Sequence, residues 1–294
     1  MKAWEEFRWG QQTYVMGILN ITADSFSGDG LLKTRDPVRS ALERARRFVK
    51  AGAHILDVGG ESTRPGASQV AEQEELERVI PVIEALAAAR LDAVISVDTY
   101  KARVAEAALQ AGAAWINDVW GLRADPGMAE LAARSQAPLV LMHNRSQPAD
   151  AELQERLGGR YVGSVYTDLI GEVKAELMQS VELARRAGVR DEKIVLDPGI
   201  GFGKTVEQNL ELLNRLDEIR ALGFPILLGP SRKSFIGYTL NLPYNQRVEG
   251  TAAAVAVGIA RGADMIRVHD VRAMARVARM TDAITRRGAA GSTG

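Results

Sequence analysis

Seven apolar runs in this chain of 294 residues end in a side chain that can bind a ligand or move a proton: Asn20, Asp57, Asp98, Asn117, His143, Asp197 and His269. A buried carboxylate needs a hydrogen-bonding partner. It suits a flat edge with two adjacent donors, such as the amino-pyrimidinone of a pterin or guanine. We therefore predict that Asp197 binds a ring of this kind, with Asp98 and Asn117 supplying further polar contacts.

A second group of residues is cationic and indicates an anion site. Ser231-Arg232-Lys233-Ser234 follows the seventh apolar run and opens a helix, whose amino end favours negative charge. Arg267 and His269 share one face of the last run by strand alternation. Phosphate sites of barrel enzymes commonly use the loops after strands seven and eight. A structural ion pair is the alternative explanation for Arg267.

Two loops are less specific. The segment from Glu61 to Gly66 carries one cation, Arg64, and is either an ordinary turn or part of the anion site. The segment DPGIGFGKT, from Asp197 to Thr205, is similar to a phosphate-binding P-loop, but Pro198 stands where that motif requires its first glycine. We therefore interpret these glycines as a turn from a strand into a helix.

Strands and helices alternate along the chain and must position these residues. Apolar, β-branched runs without polar alternation predict strands buried on both faces: Tyr14–Asn20, His54–Gly60, Ala93–Thr99, Trp115–Gly121, Pro138–Asn144, Lys193–Pro198, Pro225–Gly229 and Met265–Asp270. Helical periodicity predicts Pro37–Ala51, Ala71–Arg90, Lys101–Gln110, Met128–Ser135, Val165–Ala187, Val206–Leu222, Arg247–Arg261 and Val271–Arg286. The repeat predicts an α/β protein with the (β/α)8 TIM barrel fold, whose active site lies at the carboxyl ends of the strands.

The barrel also separates structural residues from site residues. His54 begins a strand, so it lies at the opposite end from the site and is interpreted as structural. His143 is either a site residue or a buried imidazole with hydrogen-bonding partners, and we favour the second interpretation. Trp115 and Trp120 are interpreted as packing residues. The chain shows no zinc-binding or Ser/His/Asp pattern, and without cysteine a tight zinc site is not expected.

The composition excludes several classes of function. Lys and Arg together number 37, as do Asp and Glu, so no net charge favours nucleic acid or an acidic membrane surface. No apolar run has the ~18 residues that span a membrane, and the polar start is unlike a secretory signal. We expect a soluble, cytoplasmic enzyme of one domain. Residues 1–13 are predicted to cover the bottom of the barrel, residues 288–294 to be frayed, and residues 145–163 to form a mobile loop over the site.

Nine segments resemble the dihydropteroate synthase family. From about Met16 to Val271 they are MGILNITADSFSGDG, LDVGGESTRPG, ISVDTYK, INDVWG, LMHN, LDPGIGFGKT, GPSRKSFIG, RVEGTAAAVAVGI and RGADMIRVHDV. The segments STRPG and SRKSFIG discriminate best, because the wider pterin-binding barrels lack these two loops. One departure is Ala23, where the family usually has proline, and the segment after LMHN is longer than in many members.

The resemblance implies a role for each matching residue. The pterin pocket would comprise Asp98, Asn117, Met142, Asp197 and Lys233. The pyrophosphate site would comprise Asn20, Arg64, Arg267 and His269, with Mg²⁺ near Asn20. The p-aminobenzoate site would comprise Thr63, Pro65, Phe202, Lys233 and Ser234. The catalytic residues would be Asn20, Arg64, Lys233, Arg267 and His269.

The resemblance also implies the reaction, which joins 6-hydroxymethyl-7,8-dihydropterin pyrophosphate to p-aminobenzoate, with Mg²⁺ as cofactor and a homodimer as the assembly. A multiply charged leaving group needs a metal and fixed cations, and an SN1-like step is plausible because the electron-rich pterin delocalises positive charge. An aromatic amine needs positioning rather than a strong base. The two alternative functions are a pterin-dependent methyltransferase domain, which has no use for the STRP and SRKS loops, and a non-catalytic pterin-binding paralogue.

Overall fold

Eight parallel strands form the centre of this computed structural model, which describes residues 6–22, 30–32, 34–64, 67–162 and 165–286. The ten strands of the described chain are β1 (Tyr14–Asn20), β2 (Ile55–Gly59), β3 (Val94–Asp98), β4 (Trp115–Asp118), β5 (Leu139–Met142), β6 (Ala151–Gln154), β7 (Gly158–Tyr161), β8 (Ile194–Asp197), β9 (Leu227–Leu228) and β10 (Met265–Val268). All except β6 and β7 belong to the central sheet, in the order β8-β5-β4-β3-β2-β1-β10-β9. A parallel bridge between Leu196 and Ile226 closes the sheet into a barrel.

The helices surround this barrel. They are α1 (Pro37–Ala51), α2 (Glu72–Ala88), α3 (Ala102–Ala111), α4 (Gly127–Ser135), α5 (Leu169–Ala187), α6 (Val206–Asn214), α7 (Leu216–Arg220), α8 (Ser234–Leu240), α9 (Val248–Ala260) and α10 (Val271–Thr285). Local sequence sets several of their ends. Asp36 caps α1 by accepting from Arg39 N, and Gly52 ends it in the left-handed conformation. None of the described helices combines the length and apolar content needed to cross a bilayer.

Aromatic side chains pack together at the barrel bottom, among them Phe7 and Trp9 from the described part of residues 1–13. Phe7 packs between Trp9, Tyr14 and Trp115, with ring centroids 4.6–5.3 Å apart. His54 lies at the same end and accepts a hydrogen bond from Val15 N at 3.0 Å. The structural interpretations of His54 and Trp115 are therefore confirmed. The predicted frayed tail, residues 288–294, lies outside the described residues.

Two predicted elements are wrong in detail. The stretch from Val206 to Leu222 is two helices, because Arg215 leaves the helical conformation between them. The second helix buries Leu216 and Ile219. The seventh barrel strand is only Leu227–Leu228. The remaining helices and strands differ from the predicted ones mainly by a few residues at their ends, where caps and strand pairing set the bounds.

The segment after β5 is more regular than the irregular loop that the sequence predicts. It contains the antiparallel hairpin β6–β7. The hairpin is attached to the region of α8: Arg247 donates to Leu157 O at 2.8 Å and Tyr238 to Gly158 O at 3.2 Å. Periodicity misses this hairpin because it is short, mostly polar and stabilised by residues about 80–90 positions away.

Candidate active site

The barrel interior changes from apolar to polar along the strands. The apolar layer at the bottom includes Met16, Ile55, Val94, Trp115, Val140, Val195, Leu227 and Met265. Two residues further along each strand, alternation directs a second layer to the same interior face: Ile18, Asp57, Ser96, Asn117, Met142, Asp197, Gly229 and Arg267. The candidate site is therefore the upper half of the barrel, at the carboxyl ends of its strands.

Arg267 is the centre of a polar cluster in this second layer. Its Nε lies 2.6 Å from Asp57 Oδ2, and its Nη2 lies 2.5 Å from Asp98 Oδ2. Asn117 Nδ2 donates to Asp57 Oδ2 at 3.1 Å. The structural ion pair considered from the sequence is thus present, and a role for Arg267 toward pyrophosphate stays a prediction.

Two buried polar atoms of this layer have no hydrogen-bonding partner among the described residues. They are Asp57 Oδ1 and Ser96 Oγ. A buried acceptor without a partner costs roughly 1–3 kcal/mol. Burial also raises the pKa of Asp98 to about 7, although Arg267 opposes this shift. A ligand that donates hydrogen bonds here would relieve these costs.

Asp197 and Lys233 lie together on another side of the interior. Asp197 Oδ1 accepts from Gly199 N at 2.7 Å, which fixes the carboxylate at the start of the glycine-containing loop. A Cβ atom built on Gly229 would lie 3.8 Å from Lys233 Nζ and 4.0 Å from Asp197 Oδ2. Gly229 thus lies beside both charged groups, and Met142 pairs with Asp197 in the sheet register.

Burial shifts both members of this pair. It raises the pKa of Asp197, with Lys233 opposing the shift. It lowers the pKa of Lys233 to about 8, with Asp197 opposing the shift. The Lys233 amine also donates to Ile200 O and lies 4.4 Å from the centroid of the Phe202 ring. The structure therefore brings Asp197, Phe202 and Lys233 to one wall.

The predicted anion-binding residues meet around one aromatic ring that the sequence analysis did not identify. The Tyr244 ring centroid lies 5.1 Å from Arg64 Cζ and 5.3 Å from Arg232 Cζ. The His269 ring meets it edge-on, with centroids 6.2 Å apart. Arg64 Nη2 also lies 3.5 Å from the Tyr244 hydroxyl. Tyr244 thus connects the loop after β2 with the end of β10.

His269 has a controlled orientation and charge. Its Nδ1 lies 3.0 Å from Ser231 Oγ, which also accepts from the His269 backbone N–H. Burial lowers the pKa of His269 well below its usual value, and the cations Arg267, Arg64, Arg232 and Lys233 lower it further. His269 is therefore neutral near pH 7 when no anion is bound.

The remaining predicted site residues occupy loop and helix ends at the mouth. Asn20 ends β1 and pairs in register with Gly59. Thr63 lies in the loop after β2, and Ser234 is the first residue of α8, immediately after Lys233. Pro65 and Ala23 lie outside the described residues. Within the described ranges, no three His, Cys, Asp or Glu side chains are grouped to hold a metal ion.

His143 is a buried imidazole with partners, as predicted. Its Nδ1 lies 2.9 Å from Lys204 Nζ, and its Nε2 lies 3.1 Å from Glu176 Oε2. Burial lowers its pKa to about 4, and the Lys204 charge contributes in the same direction. The ring therefore connects the end of β5 to α5 and to the loop after β8, and it stays neutral.

Sequence reasoning missed three residues of the site. Asp57 was identified as a strand-end carboxylate but given no role, although its spacing from Ile55 places it in the barrel interior. The same alternation, counted from Leu227, places Gly229 on the interior face of the barrel. No local pattern identifies Tyr244, because its importance depends on Arg64, which is 180 positions away.

Comparison with known proteins gives a consistent family. Residues 16–269 match the model of the family described as pterin binding enzyme. A dihydropteroate synthase from Clostridium beijerinckii is 48% identical, with 96% of this chain and 98% of that protein covered. A Clostridium difficile dihydropteroate synthase crystallised with pteroic acid has TM-score 0.85 and 48% identity, covering 96% of this chain and 100% of that one. A Xanthomonas albilineans dihydropteroate synthase with 4-aminobenzoic acid has TM-score 0.82 and 41% identity, with 94% of each chain covered.

Proposed function

The chain belongs to the pterin-binding enzyme family, as a dihydropteroate synthase and hence a transferase of folate biosynthesis, and we propose that it condenses 6-hydroxymethyl-7,8-dihydropterin pyrophosphate with p-aminobenzoate. The products are 7,8-dihydropteroate and pyrophosphate. The observation that carries this proposal is the division of the barrel mouth. A carboxylate–lysine wall with Asp197 and Lys233 adjoins a cationic group with Arg64 and His269.

The pterin would bind in the interior, against the second layer. Asp197 suits the two adjacent N–H donors of the amino-pyrimidinone, because its carboxylate can accept both. Asp98, Asn117 and Lys233 would contact other polar atoms of the ring, and Met142 would be an apolar wall. The unpartnered atoms Asp57 Oδ1 and Ser96 Oγ support a polar ligand at this depth.

The pyrophosphate would bind toward Asn20, Arg64, Arg267 and His269, which are the residues that we propose as catalytic together with Lys233. Bound Mg²⁺ would neutralise charge on the leaving oxygen. The donors fit such an ion: Asn20 supplies one hard amide oxygen, and Mg²⁺ commonly takes its other ligands from phosphate and water. Arg64 and His269 would then hold the anion as its carbon–oxygen bond breaks.

The p-aminobenzoate would bind between Phe202, Lys233 and Ser234, with Thr63 and Pro65 from the loop after β2. Its amine would attack the pterin methylene after the bond to pyrophosphate has broken, and the amine would then lose one proton to water. We propose an SN1-like order, because the pterin ring delocalises the positive charge. No general base is required of the chain, since an aromatic amine is already nucleophilic.

We further propose a homodimer that works in the cytoplasm. The exposed apolar side chains of the neighbouring helices α9 and α10 support the dimer: Val257 is 43% exposed, Met280 64% and Ile284 66%. The α9 sequence is also apolar around most of its circumference, which is unusual for a solvent-facing helix.

Pyrophosphate release in the presence of both substrates tests the function. We expect release that requires the pterin substrate, p-aminobenzoate and Mg²⁺ together, with dihydropteroate formed in equal amount. Methyl transfer from a methylated folate to cobalamin, without pyrophosphate release, would instead support the methyltransferase. Pterin binding without turnover would support the non-catalytic paralogue.

A further inference from the structure

Lys204 is a buried lysine to which the proposed reaction assigns no role. It is the lysine of the P-loop-like segment, yet its amine turns back into its own loop. Lys204 Nζ donates to Gly199 O and Phe202 O, both at 3.0 Å, and lies 2.9 Å from His143 Nδ1. Its side chain is only 2% exposed.

This position is energetically costly. Taking an ammonium group out of water costs several kcal/mol unless a close counter-charge compensates. None of the three partners of the amine is a carboxylate, and the nearby charge of Asp197 opposes the effect of burial without cancelling it. Burial accordingly lowers the pKa of Lys204 to about 7. A methionine would fill a similar volume without this cost, so packing alone does not account for an amine at this position.

The loop wound around this amine presents three contacts to the site. Gly199 N donates to Asp197, Ile200 O accepts from Lys233, and the Phe202 ring packs against the Lys233 amine. Lys204 holds the carbonyl groups at both ends of this segment. The backbone of this loop is closely packed, because a Cβ atom at Gly199 would lie 1.8 Å from His143 O.

Outside the loop, Lys204 contacts His143, which is itself held by other residues. His143 lies between Lys204 Nζ and Glu176, and Glu176 forms an ion pair with Arg145. The amine therefore connects the loop to β5 and α5, which belong to the rigid barrel. Losing the amine would remove this connection and leave the loop held by its other hydrogen bonds, from Gly199 N to Asp197 and from Gly201 N to Asn209.

We propose that Lys204 is a positioning residue, whose amine holds loop 199–203 so that Asp197 and Phe202 stay in place against Lys233. This inference rests on the proposed function, since its effect is on pterin and p-aminobenzoate. Lys204 does not touch either substrate and acts through the loop.

Lys204→Met tests the proposal, with Lys193→Met as its matched control. Lys193 is also buried and flanks β8, but at its opposite end. We expect Lys204→Met to raise KM for p-aminobenzoate by about 10- to 100-fold, the effect of losing hydrogen bonds from a charged group, and to weaken pterin binding. Lys193→Met should lower Tm without changing either constant.

Chemical rescue separates the amine from packing. The chain contains no cysteine, so Lys204→Cys can be alkylated at one position with 2-bromoethylamine in denaturant and refolded, which restores an amine at nearly the same length. We expect the aminoethylated protein to recover most of the lost p-aminobenzoate affinity, whereas a thiomethylated sample should not. The unsubstituted protein taken through the same refolding is the control.

The outcomes are distinct. If the unsubstituted protein does not turn over, the proposed function fails. If it turns over and Lys204→Met changes only Tm, or if thiomethylation rescues as well as aminoethylation, the positioning role is overturned and the function stands. Should Lys204→Met fail to fold, Glu176→Gln weakens the same frame at a partly exposed residue, and an unchanged KM for p-aminobenzoate would overturn the proposal.

Discussion

At the residue scale, the charge of His269 depends on what occupies the site. Its pKa lies well below the usual value because the ring is buried and faces four cations. A bound pyrophosphate would reverse the electrostatic part of this shift and raise the pKa. The ring is neutral in the free enzyme and binds a proton more readily in the complex, so affinity should fall as pH rises between the two pKa values.

We expect pyrophosphate binding to be accompanied by proton uptake at His269 that grows as the pH falls. Calorimetry in buffers with different ionisation enthalpies measures this uptake. His269→Asn, which keeps a hydrogen-bonding side chain but cannot titrate, is the control and should lose most of the uptake. Equal proton uptake by both proteins would show that another group titrates.

Residue types at strand ends could be predicted from the sequence, but their partners could not. Alternation identifies Asp98, Asn117 and Asp197 as interior residues, and the structure places all three there. The contact of Arg267 with Asp57 joins residues 210 positions apart. Only closure of the barrel brings such residues together. A local sequence pattern cannot predict contacts between positions so far apart in the chain.

At the element scale, the loop after β2 is held at its two ends. Glu61 Oε2 accepts from Val70 N at 3.3 Å and from Lys101 Nζ at 2.6 Å. Lys101 also contacts Glu75 Oε2 of α2 at 2.5 Å. The ends of this loop are therefore fixed to the barrel, while its centre carries Thr63 and Arg64 toward Tyr244 and the mouth.

This arrangement predicts cooperative binding through Arg64. Pyrophosphate bound to Arg64 would order its neighbour Thr63, so p-aminobenzoate should bind more tightly with pterin and pyrophosphate present, by ~1–3 kcal/mol of coupling. Arg64→Ala should remove most of this coupling and leave binding of the bare pterin nearly unchanged.

The measurement is p-aminobenzoate affinity with and without saturating pterin and pyrophosphate. Arg279→Ala, at an exposed position of α10, is the control and should keep the full coupling. Equal p-aminobenzoate affinities in the unsubstituted protein would show a preformed pocket and contradict this ordered binding.

Elements with strong periodicity could be predicted closely, and elements defined by tertiary contacts could not. The predicted bounds of α1 match the structure because Asp36, Pro37 and Gly52 mark its ends. Strand β9 is shorter than its apolar run because only two of its residues pair with β10. The hairpin β6–β7 has no strong local signal and depends on its contacts with the region of α8.

At the scale of the whole molecule, the repeat of strand and helix predicts the barrel. The outward face of α9 and α10 is the candidate dimer interface. If this face forms the dimer interface, Val257→Glu should give a monomer, because it places a charge among apolar side chains. Sedimentation velocity measures the assembly. Leu183→Glu on α5 is the control, and a monomeric unsubstituted protein would contradict the dimer.

The central claim is that Asp197 binds the pterin edge, and titration calorimetry of Asp197→Asn with a pterin tests it most directly. We expect the substitution to weaken binding by ~2–5 kcal/mol, because it removes a charged, two-acceptor contact, while the circular dichroism spectrum stays unchanged. Unchanged pterin affinity in a folded Asp197→Asn protein would show that the anchor lies elsewhere and would contradict the account.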